Sequence, residues 1–296
     1  MKHLMTFLIL QIGCVSFEQP TFYREPQPNF EEAYIQIKGK SLEKDQKYAS
    51  FKEYRTAIED VMSSESVLAG RKVRVSAPKE YQGKLPLIIS LHGMGGNPIY
   101  QNYFFNATRY TGTMQFVLAI PPGLRKEWDF THDRSRDREF ILQLIKELKV
   151  KYPIEATRIY LVGHSNGAIF GLNLVCKTTT FAAVVSIGGL ANFDDKKCLK
   201  APTNVIFIHG LNDTIVKYAY GRYSFRKMGV YNGCDPANIY KNELTLGGMP
   251  GTFEKYANCA NNANTMFYTL NSQNHTDPLS SKVVETILLN ILQLQL

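Results

Sequence analysis

The sequence predicts a doubly wound α/β fold, a mostly parallel sheet flanked by helices. Three observations predict it. Short apolar runs at Leu85–Leu91, Phe116–Ile120, Ile159–Val162, Phe181–Ile187, Asn204–Ile208 and Thr265–Leu270 read as buried-type strands. Segments with apolar residues at helical spacing alternate with those runs, the pattern of parallel strands joined by crossover helices. Finally, Gly163-His164-Ser165-Asn166-Gly167 joins the run Ile159–Val162 to a helical pattern from Ala168 to Cys176. A strand, Gly-x-Ser-x-Gly and a helix in that order form a nucleophile turn.

Taken in order, Met1–Gly13 has Lys2 and His3, then an apolar stretch from Leu4 to Ile12. It is too short to span a bilayer and predicts an export signal within residues 1–17. Cys14, after a glycine, resembles the lipid-acceptor cysteine of bacterial lipoproteins, which would attach the protein to a membrane. Gln11 stands where that motif usually has leucine, so a cleaved, unlipidated signal is the alternative. Residues 18–62 read as a proline-rich polar linker (Glu18–Lys40) followed by an amphipathic helix over Leu42–Met62. Residues 63–296 read as one domain, long enough for a full core. Within it, Val67–Pro78 alternates as an outer strand. Asp137 opens a helix whose Phe140, Ile141, Leu144, Ile145 and Leu148 share a face, and Ser280–Leu292 is the closing helix.

A nucleophilic serine needs a base, an acid and donors for an oxyanion. Side chains at Gly163 or Gly167 would collide with the neighbouring strand and helix, while Ser165 is lifted out of the sheet. Of the six histidines, His209 and His275 alone follow the motif. His209 closes the strand Asn204–Ile208 and precedes Gly210-Leu211-Asn212-Asp213, which puts Asp213 at the carboxyl edge of the sheet as the acid. That leaves His275, in the polar loop Asn271–His275, as the base, and makes His209 a strand-end histidine that shapes the acid loop. His92-Gly93-Met94-Gly95-Gly96 follows the strand Leu85–Leu91, so the amides of Met94 and Asn166 are the expected oxyanion donors. His92 and Trp128, the single tryptophan, are candidate substrate contacts; an aromatic core or rim position is the other reading of Trp128. Tyr218–Gly251, rich in tyrosine, glycine and asparagine, lies between acid and histidine as an insertion, either substrate-covering or an ordinary disulfide-tied surface loop.

The net charge is +8 and the isoelectric point about 9.1. The basic residues are spread along the chain, with no basic-aromatic nucleic-acid module, so nucleic acid is not the expected partner. Apart from Cys14, the cysteines are Cys176, Cys198, Cys234 and Cys259, an even number that suggests disulfides in an exported chain. Three pairings are open. No short cysteine or histidine spacing suits a metal.

Several of these features recur together. Pro121-Pro122-Gly123 with Trp128, Asp137, RIYLVGHSNGA (Arg158–Ala168), Cys176 and Cys198, HGLNDTIV (His209–Val216), NGCD (Asn232–Asp235) and Cys259 stand in that order. Over about Arg71–Asp277 the chain resembles the secreted polyhydroxybutyrate depolymerase-like and feruloyl-esterase-like branch of the α/β-hydrolases. The resemblance implies that fold, hydrolysis of small or polymer-linked carboxylic esters, no cofactor, and a Ser165–His275–Asp213 triad. It also implies the neighbouring pairings Cys176–Cys198 and Cys234–Cys259. Relatives usually carry glycines before the histidine and tryptophan-proline after it. This chain has Ser272-Gln273-Asn274 and Thr276-Asp277-Pro278, a departure that bears on which ester is accepted. A serine peptidase on the same fold and a non-catalytic binding protein are the competing functions. Cleavage of amides but not esters marks the first, and failure of Ser165 to react with an organophosphonate marks the second.

Overall fold

The computed structural model describes residues 65–132, 135–194, 197–199 and 201–294. The expected export signal, Cys14, the linker and the Leu42–Met62 helix lie outside the described residues. Within them, the strands are β1 (Glu65–Leu68), β2 (Arg71–Ser76), β3 (Leu85–Leu91), β4 (Val117–Ile120) and β5 (Ile154–His164). They continue with β6 (Ala183–Ile187), β7 (Asn204–Gly210), β8 (Ile239–Leu246), β9 (Met249–Tyr256) and β10 (Thr265–Leu270). All join one sheet in the order β1-β2-β4-β3-β5-β6-β7-β10-β9-β8. From β4 through β10 the pairs are parallel, while the two ends are antiparallel. The sheet carries the α/β-hydrolase arrangement.

Every residue of β3 and β7 is buried, which explains why LPLIISL and NVIFIHG do not alternate with polar residues. Successive side chains feed two separate cores instead. Leu87, Ile89, Leu161 and Phe207 pack on one face with α2 (Arg136–Lys151), α3 (Asn166–Lys177) and α4 (Tyr218–Tyr231). Ile88, Tyr160, Val162, Ile206 and Ile208 pack on the other with α1 (Pro98–Phe104) and α5 (Ser281–Gln293). Ser135 caps α2 and Ser280 caps α5, each accepting a backbone N–H of the first turn.

Two elements differ from the sequence reading. The outer strand expected over Val67–Pro78 is a hairpin, β1 and β2, because Ala69 and Gly70 take positive φ (48° and 78°), as a two-residue turn requires. The segment 218–251 is more regular than either reading expects. Its first part is α4, packed on the sheet; residues 232–238 are a turn region tied through Cys234, in keeping with the disulfide-tied loop; and the rest belongs to the β8–β9 hairpin that extends the sheet beyond β10.

Disulfides join Cys176 to Cys198 and Cys234 to Cys259, across sequence separations of 22 and 25 residues. The first ties the end of α3 to the approach to β7; the second ties the end of α4 to the segment after β9. Closing a loop of that length stabilises the fold by about 3 kcal/mol. Replacing Cys234 and Cys259 together by serine is expected to lower the melting temperature by roughly 5–10 °C in scanning calorimetry; an unchanged transition contradicts this.

Candidate active site

Ser165 stands between β5 and α3 with φ 52° and ψ −118°, a conformation that non-glycine residues rarely hold. The glycines on either side make it attainable. A Cβ on Gly163 would overlap the Gly167 carbonyl and come within 2.6 Å of the Ala168 Cα. One on Gly167 would lie 2.6 Å from the His92 carbonyl oxygen and 2.7 Å from that of Leu91, at the end of β3. Strand, helix and the glycine loop after β3 therefore meet at the serine with no room for side chains. Gly93 also lies near the serine, and a Cβ there would sit 3.2 Å from the Ser165 Cβ.

The structure brings Ser165, His275 and Asp213 together from three separate loops at the carboxyl edge of the sheet. The Ser165 hydroxyl and His275 Nε2 are 2.8 Å apart, and His275 Nδ1 lies 2.7 Å from Asp213 Oδ2. All three residues are buried. With Nδ1 donating to the carboxylate, Nε2 faces the serine as an acceptor. The second carboxylate oxygen, Oδ1, accepts the backbone N–H groups of Ile215 (3.0 Å) and Val216 (2.9 Å), which fixes its rotation.

The base loop is held from below. His164, the variable residue of the Gly-x-Ser-x-Gly turn, donates from Nε2 to the His275 carbonyl at 2.8 Å. Its ring stacks on Phe104 of α1, with centroids 3.7 Å apart. The nucleophile turn and the base loop are thus linked by one buried imidazole, a contact that sequence spacing did not reveal. Gln273 donates to the carbonyls of Asp277 (2.6 Å) and Asn274 (3.2 Å), so the chain around His275 is also braced within itself.

Met94 lies on the loop after β3, and Asn166 directly follows Ser165 at the start of α3. The Asn166 side chain has a further part. Its Oδ1 accepts the Trp128 N–H at 2.6 Å while Nδ2 donates to the Trp128 carbonyl at 3.1 Å. That pair fastens the 124–130 loop to the start of α3. Trp128 and His92 are both fully buried, so Trp128 takes the core position that was the other reading of it, and His92 departs from the substrate-contact reading. Trp128 Nε1 donates to the His92 carbonyl at 2.9 Å, and His92 Nε2 accepts the Gly123 N–H at 2.9 Å. They brace the glycine loop against the neighbouring loop. Asp137 completes the brace from the first turn of α2, accepting from Arg71 (2.6 Å) and from the Asp129 N–H (3.0 Å).

Burial pushes the Asp213 carboxyl up, but the imidazoles of His275 and His209 outweigh it and hold it well below the usual carboxylate range. A depressed folded-state value contributes stability that is present above the unfolded value of about 3.9 and lost as pH falls through the folded one. The wild-type protein is therefore expected to lose unfolding free energy below about pH 4 more steeply than Asp213→Asn. Denaturant titrations across that range check this, and equal slopes contradict it.

Comparison with known proteins agrees with this architecture. The phospholipase/carboxylesterase family matches residues 126–237. A bifunctional acetylxylan esterase/xylanase from Neocallimastix patriciarum is 30% identical over 153 residues, 51% of this chain but only 22% of that protein. Feruloyl esterase C from Emericella nidulans is 26% identical over 194 residues, covering 62% of this chain and 70% of that enzyme. Among solved structures, an acetyl xylan esterase from Aspergillus awamori superposes with a TM-score of 0.59 at 13% identity, over 77% of this chain and 97% of that one. Esterase PE8 does so with a TM-score of 0.52 at 14% identity, over 75% of this chain and 99% of that one.

Proposed function

We propose that this chain belongs with the esterase-like α/β-hydrolases it resembles and hydrolyses carboxylic esters through an acyl-enzyme formed on Ser165. The observation that carries the proposal is the unbroken relay of 2.8 and 2.7 Å from Ser165 through His275 to Asp213. In the first step His275 Nε2 takes the Ser165 proton as Oγ attacks the ester carbonyl. Asp213 holds the imidazole tautomer and stabilises the imidazolium that forms. The amides of Met94 and Asn166 receive the oxyanion, and one such donor is worth about 3–4 kcal/mol of transition-state stabilisation. His275 then protonates the leaving alcohol. In the second step it takes a proton from water, which attacks the acyl carbonyl and releases the acid, returning the proton to Ser165.

The substrate class is an ester of small acyl, polyhydroxyalkanoate, or acetyl- or feruloyl-polysaccharide type. Sequence matches to an acetylxylan esterase and a feruloyl esterase support the polysaccharide members of that set. We also propose that the protein is exported. The two disulfides support this, since such bonds persist in oxidising compartments, as does the basic and apolar amino-terminal stretch ahead of Cys14.

Hydrolysis of a short-chain nitrophenyl ester by the wild type and by Ser165→Ala tests the enzyme reading. Removing a triad serine costs on the order of a millionfold in turnover. Activity confined to the wild type is the expected result. Equal rates in the two proteins, with both folded and oxidised, would leave a binding protein that keeps the fold.

A further inference from the structure

One more buried imidazole meets this relay. His209, at the end of β7, is 2% exposed, and its Nε2 lies 2.7 Å from the Val216 carbonyl oxygen and 3.3 Å from Asp213 Oδ2. A carbonyl can only accept, so Nε2 carries a proton and directs it into the acid loop. The carboxylate oxygen within its reach is the same one that accepts from His275 Nδ1.

The ring has little freedom to leave that place. Gly221 of α4 packs so closely against it that a Cβ there would overlap Nδ1. The Tyr218 ring stands edge-on at 6.0 Å, and its hydroxyl is bonded to Thr269 Oγ1 at 2.8 Å. The titratable groups facing His209 are Asp213 from the acid loop and Tyr218 from α4, with His275 across the carboxylate.

We propose that His209 is a positioning residue whose Nε2–H, shared between the Val216 carbonyl and Asp213 Oδ2, fixes the carboxylate and moderates its hold on the His275 proton. The proposal rests on the reading of Ser165, His275 and Asp213 as a working relay. With His209 in place, Oδ2 accepts from His275 Nδ1 and has the His209 N–H 3.3 Å away on its other side, while Oδ1 receives two backbone amides. The carboxylate is then held on both oxygens and cannot swing away as the imidazolium forms. Each added donor also draws negative charge from the oxygen it touches and weakens that oxygen's pull on a neighbouring proton. Losing the His209 donor makes Oδ2 a stronger acceptor for His275 and releases the Val216 turn.

Two substitutions separate donor from ring. His209→Phe keeps a planar ring and removes the N–H, whereas His209→Gln places an amide N–H near the reach of Nε2. In His209→Phe, kcat for a nitrophenyl ester is expected to fall about tenfold or more with KM little changed, as on losing an outer partner of a reactive group. The acidic limb of the pH–rate profile moves to higher pH, and the His275 Nδ1–H proton resonance moves downfield. In His209→Gln, rate, limb and resonance return towards the wild type. Equal impairment of both variants, with limb and resonance unmoved, would make His209 a packing residue and overturn the proposal. So would a fully active His209→Phe. If His209→Phe does not fold, His209→Asn, whose amide is too short to reach Val216, takes its place against His209→Gln. A wild-type protein that turns over no ester defeats the relay reading instead, and the resonance still decides the His209 contact.

Discussion

Ser165 sits at positive φ in a sparsely populated backbone region, and the rest of the carboxyl edge of the sheet is built to hold it there. Such a residue costs about 1–3 kcal/mol relative to an ordinary one, and it persists only where its surroundings over-determine it. Here β5 enters the turn, α3 leaves it, and the end of β3 presses on Gly167. Both core layers contribute, because α3 packs into one and the His164 ring stacks on α1 in the other. The serine is thereby fixed by the interior of the domain rather than by its own loop.

Polar contacts carry that rigidity outward. The Asn166 amide grips both backbone groups of Trp128, Trp128 grips the glycine loop through His92, and Asp137 grips the same segment from α2. On the far side, His164 holds the His275 backbone, while two amides and two imidazoles surround the Asp213 carboxylate. Most of these groups are buried, where an unmatched donor or acceptor costs about 1–3 kcal/mol. The network therefore disfavours any rearrangement that leaves one member unpaired. That preorganises the site before a substrate arrives, which is how fixed dipoles lower a barrier most effectively.

Much of this was legible in the residues themselves. Apolar runs without polar alternation located β3 and β10 to the residue, because strands covered on both faces have no polar side to blur their ends. The order serine, acid, histidine and the position of Asp213 after β7 singled out the three residues that the fold brings together. The β8–β9 hairpin was harder, since β8 is largely exposed and reads as IYKNELTL, without a buried face. Its signal was the Gly247-Gly248 pair, both at positive φ, which suits a two-residue hairpin turn. The role of His92 was not legible, and for Trp128 the sequence left the contact and core readings both open. Spacing places a residue near a site, but only packing decides whether its side chain faces the cleft or the core. Nor was the double hydrogen bond of Asn166, which joins residues 38 positions apart in sequence.

The central claim is that the buried relay makes Ser165 a nucleophile. Intact-mass spectrometry after treatment with a fluorophosphonate tests it most directly, because the reaction needs an activated serine but no matching ester. The account predicts a single stoichiometric adduct that peptide mapping places on Ser165 and that His275→Ala nearly abolishes. An unlabelled protein, or labelling of Ser165 that is indifferent to His275, would contradict it.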